Sequence, residues 1–385
     1  MTTPITDYIT PAPKLSELLK LQIQLNGSDL HLITNNQPRI RIHGNLDPLE
    51  DYEPLTAEDT REYADSILNK TQAEVLKTQL QVDFSISIPG LARFRVNVCD
   101  QRGGLGLVFR AIPYEIMPFD KLGIPQVMVE LCSRSHGLVL ITGPTGSGKS
   151  TTCAAFIDKI NRERAGKILT LEDPVEYLHS SKRSLVTQRE VFKNTLSFES
   201  GSKNLVREDP DTVLIGELRD LSTIEEALRT AEKGHLTFAT LHTNTAPSTI
   251  TRIIDVFPAM QQAQIRTQLA EVLAGILSQQ LIPTRDGKGR VMALEALIPT
   301  NAIKNLIRED KVHQIKAAMA TGQDKHQMVT MNQSLARLIA EDIVSLEDAA
   351  LRSPDVADLR ERLGNIKTTQ HTRLAPAAQP QRRAS

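Results

Sequence analysis

The stretch LVLITGPTGSGKSTTCAAFIDKI, from Leu138 to Ile160, decides the fold of the region around it. An apolar run enters a glycine-rich loop, and a segment with apolar residues at helical spacing leaves it. The loop fits the pattern G-x-x-x-x-G-K-[ST] from Gly143 to Ser150, and a strand before it and a helix after it are the context that a phosphate-binding loop requires. The stretch therefore predicts a phosphate site between that strand and that helix.

The residues of this loop supply the groups that hold phosphate. The glycines let the backbone curl so that its N–H groups point at phosphate oxygens, beside the positive end of the following helix. Lys149 adds a charge for the β and γ phosphates, and the Ser150 hydroxyl is an oxygen ligand for Mg²⁺. The alternative is a glycine turn with an incidental Lys-Ser pair. The predicted nucleotide-binding set is Gly143, Pro144, Thr145, Gly146, Ser147, Gly148, Lys149, Ser150 and Thr151.

Length and composition exclude several classes of protein. The 385 residues are 40% hydrophobic, which is enough for two domains with cores of their own. Lys and Arg total 45 against 46 for Asp and Glu. The net charge of −1 therefore gives no overall positive charge for binding nucleic acid or a membrane surface. Cys99, Cys132 and Cys153 form no C-x-x-C pair, and we find neither a signal peptide nor an apolar run long enough to span a membrane. We expect a soluble protein of the reducing cytosol.

The chain predicts two domains, both of the α/β class. We expect a leader over 1–14, a small α/β domain over 15–113, a linker over 114–136, a second domain over 137–366 and a disordered tail over 367–385. Pro-rich composition marks the linker, and Ala, Pro, Gln and Arg dominate the tail.

The hydrophobic pattern gives the expected elements. KLSELLKLQIQ predicts a helix that stops near Asn26-Gly27, and Thr56 to Gln79 predicts a second helix, with strands of alternating polarity around them. GLVLIT, KILTLEDP, DTVLIGE and LTFATLH alternate with helical segments, which indicates a parallel sheet covered by helices. Beyond Ser248 the pattern is mostly helical, including AQIRTQLAEVLAGILSQQL, with one strand at GRVMALEAL.

Carboxylates follow two of these apolar runs. LTLEDPVEYLH places Glu172, Asp173 and Glu176 directly after a predicted strand, where loops of such sheets reach the ligand. These side chains can hold Mg²⁺ through water or orient an attacking water, and a solvated acidic turn is the alternative. DTVLIGELRD ends a second strand in Glu217, which can polarise water for attack on a γ-phosphoryl group; an exposed glutamate is the alternative.

Two histidines bracket the last strand of the alternating region. GHLTFATLHTNTA has His235 before the strand and His242 at its end. A lone histidine is more often structural than catalytic. Two beside these carboxylates can instead sense the γ-phosphate, and the spacing does not separate the two interpretations.

Together the four motifs resemble the Walker A, Asp box, Walker B and His box of the secretion ATPases, the superfamily that drives type II and type IV secretion and type IV pili. From Leu15 to Asp355 the chain is similar to the PilT/PilU retraction ATPases. Two stretches favour the retraction ATPases within the superfamily. One is SDLHL near the start. The other is AIKNLIRED, from Ala302 to Asp310, which is similar to the retraction signature AIRNLIRE with Lys304 in place of arginine. The four-cysteine zinc motif of assembly ATPases is absent from the sequence.

The resemblance implies a PAS-like N-terminal domain and a RecA-like ATPase domain with a helical C-terminal part. It implies ATP and Mg²⁺ as cofactors, with Glu176 as general base and Glu217 as the Walker B carboxylate. With the carboxylates that the strand pattern suggested, the predicted metal residues, partly through water, are Ser150, Glu172, Asp173 and Glu217. It makes His235 and His242 the His-box pair, and arginines of the N-terminal domain reach the phosphates in such rings; the candidates are Arg93, Arg95 and Arg110. An exposed cationic face is the alternative for Arg93 and Arg95.

The resemblance also implies partners and a location. We expect a homohexamer at the inner face of the cytoplasmic membrane that contacts an inner-membrane pilus platform protein, with a paralogous retraction ATPase as a further candidate and no nucleic acid. The function that follows is ATP hydrolysis to retract type IV pili in twitching motility. The rivals are an assembly or secretion ATPase of the same superfamily and an accessory ring subunit with low turnover.

Two departures from the family pattern stand out. SFESGSKNLVRED replaces an alanine-rich helix, and Gly201 within it predicts a locally loose helix because glycine costs about 1 kcal/mol there relative to alanine. Lys304 keeps the charge of arginine but loses its two-pronged donor geometry. If this position makes a bidentate contact, we expect weaker coupling of hydrolysis to retraction while ATPase activity survives.

Overall fold

The computed structural model describes residues 9–42, 44–112, 115–191, 193–321 and 327–364, without the side chains at 203, 204 and 206. The predicted tail over 367–385 and most of the predicted leader lie outside these residues, as do residue 113, the last of the predicted first domain, and residue 114, the first of the predicted linker. The described residues form two compact units. The first comprises those of Met1–Leu122, Cys132–Leu138 and Ser150–Thr240, and the second those of Gly123–Leu131, Val139–Lys149 and Leu241–Ser385.

The elements confirm the mixed α/β class. The strands are β1 (Asp29–Ile33), β2 (Arg39–Ile42), β3 (Asn45–Pro48), β4 (Gln81–Ile88), β5 (Ala92–Gln101), β6 (Gly104–Ile112), β7 (Gly137–Thr142), β8 (Lys167–Glu172), β9 (Leu185–Glu190), β10 (Thr212–Ile215), β11 (Leu236–Leu241), β12 (Leu273–Pro283) and β13 (Arg290–Leu297).

Helices precede, connect and follow these strands. They are α1 (Pro13–Gln24), α2 (Ala57–Ile67), α3 (Lys70–Gln79), α4 (Phe119–Leu122), α5 (Gln126–Val129), α6 (Lys149–Glu163), α7 (Phe198–Leu205), α8 (Leu221–Glu232), α9 (Ala246–Asp255), α10 (Ala259–Val272), α11 (Asn301–Arg308), α12 (Ile315–Thr321), α13 (Met331–Ala340) and α14 (Leu346–Arg352), and a last helix covers 356–364. None of the helices in the described residues has the length and apolar content to cross a bilayer.

The first unit contains an antiparallel sheet and a set of parallel strands. The antiparallel sheet has the order β3-β2-β1-β6-β5-β4, and its apolar face packs with Leu15, Leu19 and Tyr63 of the neighbouring helices. The parallel strands have the order β11-β10-β8-β9. Because parallel strands all run the same way, the residues that follow β8 and β10 lie at one edge.

The predicted helix from Thr56 to Gln79 is wrong in one respect, because it is two helices. Asn69 interrupts it: its side-chain oxygen accepts the Gln72 N–H at 2.9 Å, and the Gln72 side chain accepts the Asn69 N–H at 2.9 Å. This reciprocal cap starts α3, and a cap residue has extended rather than helical backbone.

Gly201 lies in a closely packed helix rather than a loose one. Its N–H donates to the Ser197 carbonyl at 3.0 Å, and a β-carbon at this position would lie 2.8 Å from a methyl group of Leu171 on β8. The glycine therefore lets α7 approach the strand, and the predicted looseness is not what the structure shows.

The second unit contains the neighbouring strands β13-β12-β7 and most of the C-terminal helices. Sequence periodicity predicts a helix through AGILSQQL, which is wrong: α10 ends at Val272 and β12 begins at Leu273. β12 is buried along nearly all of its length and pairs antiparallel with β13 from Ile276↔Leu297 to Pro283↔Arg290. A strand buried on both faces lacks alternation, so its apolar run also matches a helix.

One buried carboxylate of the second unit serves two helices. Glu295 on β13 accepts the Ala246 N–H at 2.7 Å and the Met331 N–H at 3.1 Å, and these are the first residues of α9 and α13. Burial raises the pKa of Glu295, against the hydrogen bonds that the two N–H groups donate. Glu295 thereby supplies acceptors for N–H groups that have no partner within their own helices.

Candidate active site

The glycine-rich loop lies in the second unit and has the backbone conformation that its sequence predicts. Gly143, Gly146 and Gly148 have φ of 145°, 77° and 88°. A β-carbon at Gly143 would collide with the Gln279 carbonyl oxygen and lie 2.6 Å from the Ser147 hydroxyl oxygen. The loop can therefore follow its tight path over β12 only with glycine at this position.

Lys149 and His242 come together at this loop. The Lys149 ammonium donates to the Gly143 carbonyl at 2.7 Å and to the Pro144 carbonyl at 3.1 Å, and His242 Nδ1 lies 3.4 Å from the same nitrogen. His242 is exposed and directly follows β11. The loop thus gathers a cation and an imidazole beside the start of α6, and this set of groups fits a phosphate.

Acidic side chains gather in the first unit, where the sequence places them after β8 and β10. Arg219 joins two of them, donating to Glu217 at 2.8 Å and to Asp173 at 3.2 Å. Burial lowers the pKa of Arg219, but the hydrogen bonds and charges of Glu217 and Asp173 outweigh burial and raise this pKa above its usual value. Arg219 was not among the predicted site residues, although it stands only two positions after Glu217 in GELRD.

Glu172 has its own hydrogen bonds. Its Oε1 accepts from the Thr170 hydroxyl at 2.7 Å and from the Gln188 amide at 3.3 Å. Burial raises the pKa of Glu172 to about 7, against these two hydrogen bonds. The same Gln188 amide donates to the Tyr177 carbonyl at 2.9 Å, so it also holds the segment that carries Glu176.

Glu176 lies near Arg95 and next to a contact with α6. Arg95 Nη1 is 3.9 Å from Glu176 Oε1, and both side chains are about one third exposed, at 36% and 31%. The neighbouring Tyr177 hydroxyl is 2.9 Å from the Thr151 hydroxyl, in the first turn of α6. The segment after β8 is thereby tied to the helix that begins at the end of the loop.

Arg93 is buried, at 2% exposure, so the interpretation of an exposed cationic face is wrong for this residue. It donates twice to the Val175 carbonyl, at 3.2 and 3.1 Å, and to the hydroxyls of Ser85 and Ser87. Its Nη2 lies 3.6 Å from Glu190 Oε2, which also accepts the Val175 N–H at 3.1 Å. Arg93 and Glu190 therefore hold both backbone groups of the residue before Glu176.

Arg110 differs from Arg93 in being exposed. Its side chain is 59% exposed and donates to Asp29 at 2.8 Å. Arg95 and Arg110 are direct partners in the register of β5 and β6. Facing residues have β-carbons about 5 Å apart, so these two cations stand side by side, each with a carboxylate nearby, Glu176 for Arg95 and Asp29 for Arg110.

The two histidines of the predicted pair stand at opposite ends of β11. His235 precedes the strand, and its Nδ1 is 2.7 Å from the Pro210 carbonyl oxygen, at the edge where β10 begins. A rise of about 3.3 Å per residue puts roughly 20 Å between His235 and His242 along the strand. One phosphate cannot contact both histidines of this chain.

Comparisons with known proteins identify the family of this chain. Residues 82–372 match the family described as "Type II/IV secretion system protein". The chain is 45% identical to the type IV pilus retraction ATPase PilT of Pseudomonas aeruginosa, over 87% of this chain and 96% of that protein. It is 44% identical to the twitching motility protein of Neisseria gonorrhoeae, over 82% and 84%. A crystal structure of the pilus retraction motor PilT with bound ADP is similar, with a TM-score of 0.82 and 48% identity over 90% of this chain and 98% of that one.

Proposed function

Because the chain belongs to the type II/IV secretion system protein family, we propose that it is the ATPase that powers retraction of type IV pili. The observation that carries the proposal is the glycine loop with Lys149 and His242 beside it, in a chain 45% identical to a retraction ATPase over 96% of that protein. The family and the loop both support ATP hydrolysis.

Nucleotide binding is the role we propose for the loop and the start of α6, the nine residues from Gly143 to Thr151. The N–H groups of Gly146 and Gly148 face phosphate oxygens, and Lys149 contributes the positive charge. We propose that His242, whose Nδ1 lies 3.4 Å from the Lys149 ammonium nitrogen, contacts the terminal phosphate. His235 has no part in this proposal because it stands at the other end of β11.

Hydrolysis requires a base for the attacking water and cations for the charge on the phosphates. Glu176 accepts the water proton as the water oxygen attacks the γ phosphorus and ADP leaves, and Glu217 orients that water. Arg95 and Arg110 are the cations that we propose stabilise this charge. Arg93 acts differently, because its guanidinium is engaged with Val175 and Glu190 inside the protein.

Magnesium binds through oxygen atoms, and the chain offers them at the start of α6 and after β8 and β10. Ser150 would hold the ion together with the phosphates, and Asp173 and Glu217 would hold its waters. Glu172 fits this role poorly, since its Oε1 already accepts two hydrogen bonds and burial raises its pKa. The bound ion would neutralise phosphate charge.

The remaining proposals concern assembly and location. We propose a homohexamer whose subunits each contain a PAS-like domain over 15–113 and a RecA-like domain over 137–366. The ring would act at the inner face of the cytoplasmic membrane on a pilus platform protein, with a paralogous retraction ATPase as a second partner. A ring that alternates between two domain packings, biased by γ-phosphate contacts, would convert hydrolysis into movement.

The test in cells is Lys149→Ala in the chromosomal copy. We expect many surface pili and no twitching, because pili would be assembled and not withdrawn. The matched control is Lys159→Ala, on the same helix, whose ammonium pairs with Glu163 at 2.5 Å away from the loop; it should twitch as wild type does. Few or no pili in the Lys149 variant would instead identify an assembly ATPase.

The test in vitro separates a motor from an accessory subunit of low turnover. Purified Glu217→Ala should release phosphate about 100-fold more slowly than wild type, because it loses the carboxylate that orients the attacking water, and misplacing a reacting group by about 1 Å can cost 10²-fold. Glu225→Ala is the control, because this exposed glutamate on α8 contacts only Arg229 among its described ion-pair partners. Equal rates for wild type and Glu217→Ala would contradict the enzyme proposal.

A further inference from the structure

We infer that Gln279 on β12 is a positioning residue that aims the Gly148 N–H of the glycine loop at bound phosphate. Gln279 is 1% exposed, and its side-chain Nε2 donates to the Ser147 carbonyl oxygen at 2.7 Å. Its backbone carbonyl lies under Gly143, at the other end of the same loop. One residue of β12 therefore supports the loop at two points. The inference rests on the proposed function, since it concerns the phosphate site of that ATPase.

The geometry of a peptide group connects this hydrogen bond to phosphate binding. The peptide between Ser147 and Gly148 is planar and trans, so its C=O and N–H point in opposite directions. Because Gln279 holds the Ser147 carbonyl down against β12, the Gly148 N–H must point away from β12. That direction leads into the loop, where N–H groups meet the phosphate. Gln279 thereby sets the direction of a donor that it does not itself contact.

Gln279 disfavours the reversed orientation of the peptide between Ser147 and Gly148. With that peptide reversed, the Gly148 N–H would face the Gln279 amide nitrogen, donor against donor, and a carbonyl would face the phosphate. Positive φ at Gly148, 88°, makes such a reversal sterically open to the backbone. A contact from β12 is therefore needed to favour one orientation of the Ser147–Gly148 peptide, and the Gln279 amide supplies this contact.

Two buried polar atoms of the residues that make this contact have no hydrogen-bond partner in the part of the chain that the structure describes. Gln279 Oε1 and the Ser147 hydroxyl oxygen are both buried, and neither has a hydrogen-bond partner among the described residues. Buried polar atoms usually have partners. The side chain thus leaves its acceptor without a partner while its donor holds the Ser147 carbonyl.

The next residue provides a matched control. Gln280 is also buried, at 7% exposure, but alternation along the strand turns it to the other face, where it donates to the Arg352 carbonyl at 3.2 Å. The two glutamines share strand, side chain, burial class and one hydrogen bond to a backbone carbonyl. They differ in whether that carbonyl belongs to the loop.

The experiment compares Gln279→Glu with Gln280→Glu in the full chain. A carboxylate has the shape of the amide but only accepts, so at 279 it favours the reversed peptide. We expect affinity for fluorescent ADP to fall by about tenfold or more, and KM for ATP to rise in parallel, as for the loss of one charge-assisted hydrogen bond. Gln280→Glu should bind ADP as wild type does. ADP affinity of Gln279→Glu within threefold of wild type would overturn the inference.

A second variant guards against simple misfolding. Gln279→Met keeps the length of the side chain and removes the donor without adding charge. It should weaken ADP binding about fivefold or more while its melting temperature without nucleotide stays within a few degrees of that of Gln280→Met. Lower stability with unchanged ADP affinity would make Gln279 merely structural and would refute the inference. Failure of the wild type itself to bind ADP would refute the proposed function instead.

Discussion

Removing Arg93 tests whether the buried network holds the segment before Glu176. Arg93→Met leaves the Glu190 carboxylate, whose side chain is 7% exposed, without its buried cation, and it removes both donors to the Val175 carbonyl. Breaking a buried ion pair by removing one partner costs about 3–5 kcal/mol. That is a large part of the roughly 5–15 kcal/mol by which proteins are stable, and it corresponds to a fall of roughly 6–20 °C in melting temperature.

The assay is thermal unfolding followed by circular dichroism, without nucleotide. The control is Arg95→Met, two positions along the same strand, where a 36% exposed side chain makes a 3.9 Å contact with Glu176. Exposed pairs contribute about 0–1 kcal/mol, so this variant should melt within a few degrees of wild type. Arg93→Met combined with Glu190→Met should cost less than the two single variants added together, because no buried charge is left unpaired, but it should stay below wild type because the Val175 N–H and C=O lose these partners. Equal melting temperatures for the two single arginine variants would refute the reasoning.

Three further changes have expected outcomes. Gly143→Ala should weaken ADP binding at least about tenfold in a titration, because φ of 145° and the Gln279 carbonyl both oppose a β-carbon. Burial lowers the pKa of His179 to about 4 from 6.5, so acid protonates the unfolded chain first and stability falls as pH drops through 6.5 towards 4. His179→Gln should therefore lose about 2 kcal/mol less than wild type between pH 7 and pH 5 in urea titrations. Lys304→Arg should change the free energy of unfolding by under about 0.5 kcal/mol, since its hydrogen bond to the Glu271 carbonyl is exposed and 3.5 Å long.

Local pattern was sufficient for the loop and for the parallel strands around it. Glycines, a Lys-Ser pair and flanking apolar runs are adjacent in sequence, and their conformation depends on few distant residues. The family that the four motifs suggest is confirmed, as is the α/β class. The strand predicted at GRVMALEAL is also confirmed, as Arg290–Leu297.

Distant contacts explain what the sequence did not predict. Whether Leu273–Pro283 is strand or helix is settled by its pairing with β13, not by its own apolar residues. Alternation along β5 left an exposed face as the alternative for Arg93, yet Val175 and Glu190, some 80 to 100 positions away, enclose it. Gln279 carries no motif at all, and its relation to Ser147 spans 132 positions. The roles of such residues can be recognised only from the folded structure, because they depend on contacts between distant positions of the chain.

The buried carboxylate of Glu295 has a consequence for how the second unit opens. Because one side chain accepts the first N–H of α9 and the first N–H of α13, releasing either helix start leaves that carboxylate short of a donor in a site of 4% exposure. The two helix starts should then open as one cooperative unit, although Ala246 and Met331 are 85 positions apart in the chain. In hydrogen exchange their amides should share one opening free energy, and Glu295→Gln should lower both together.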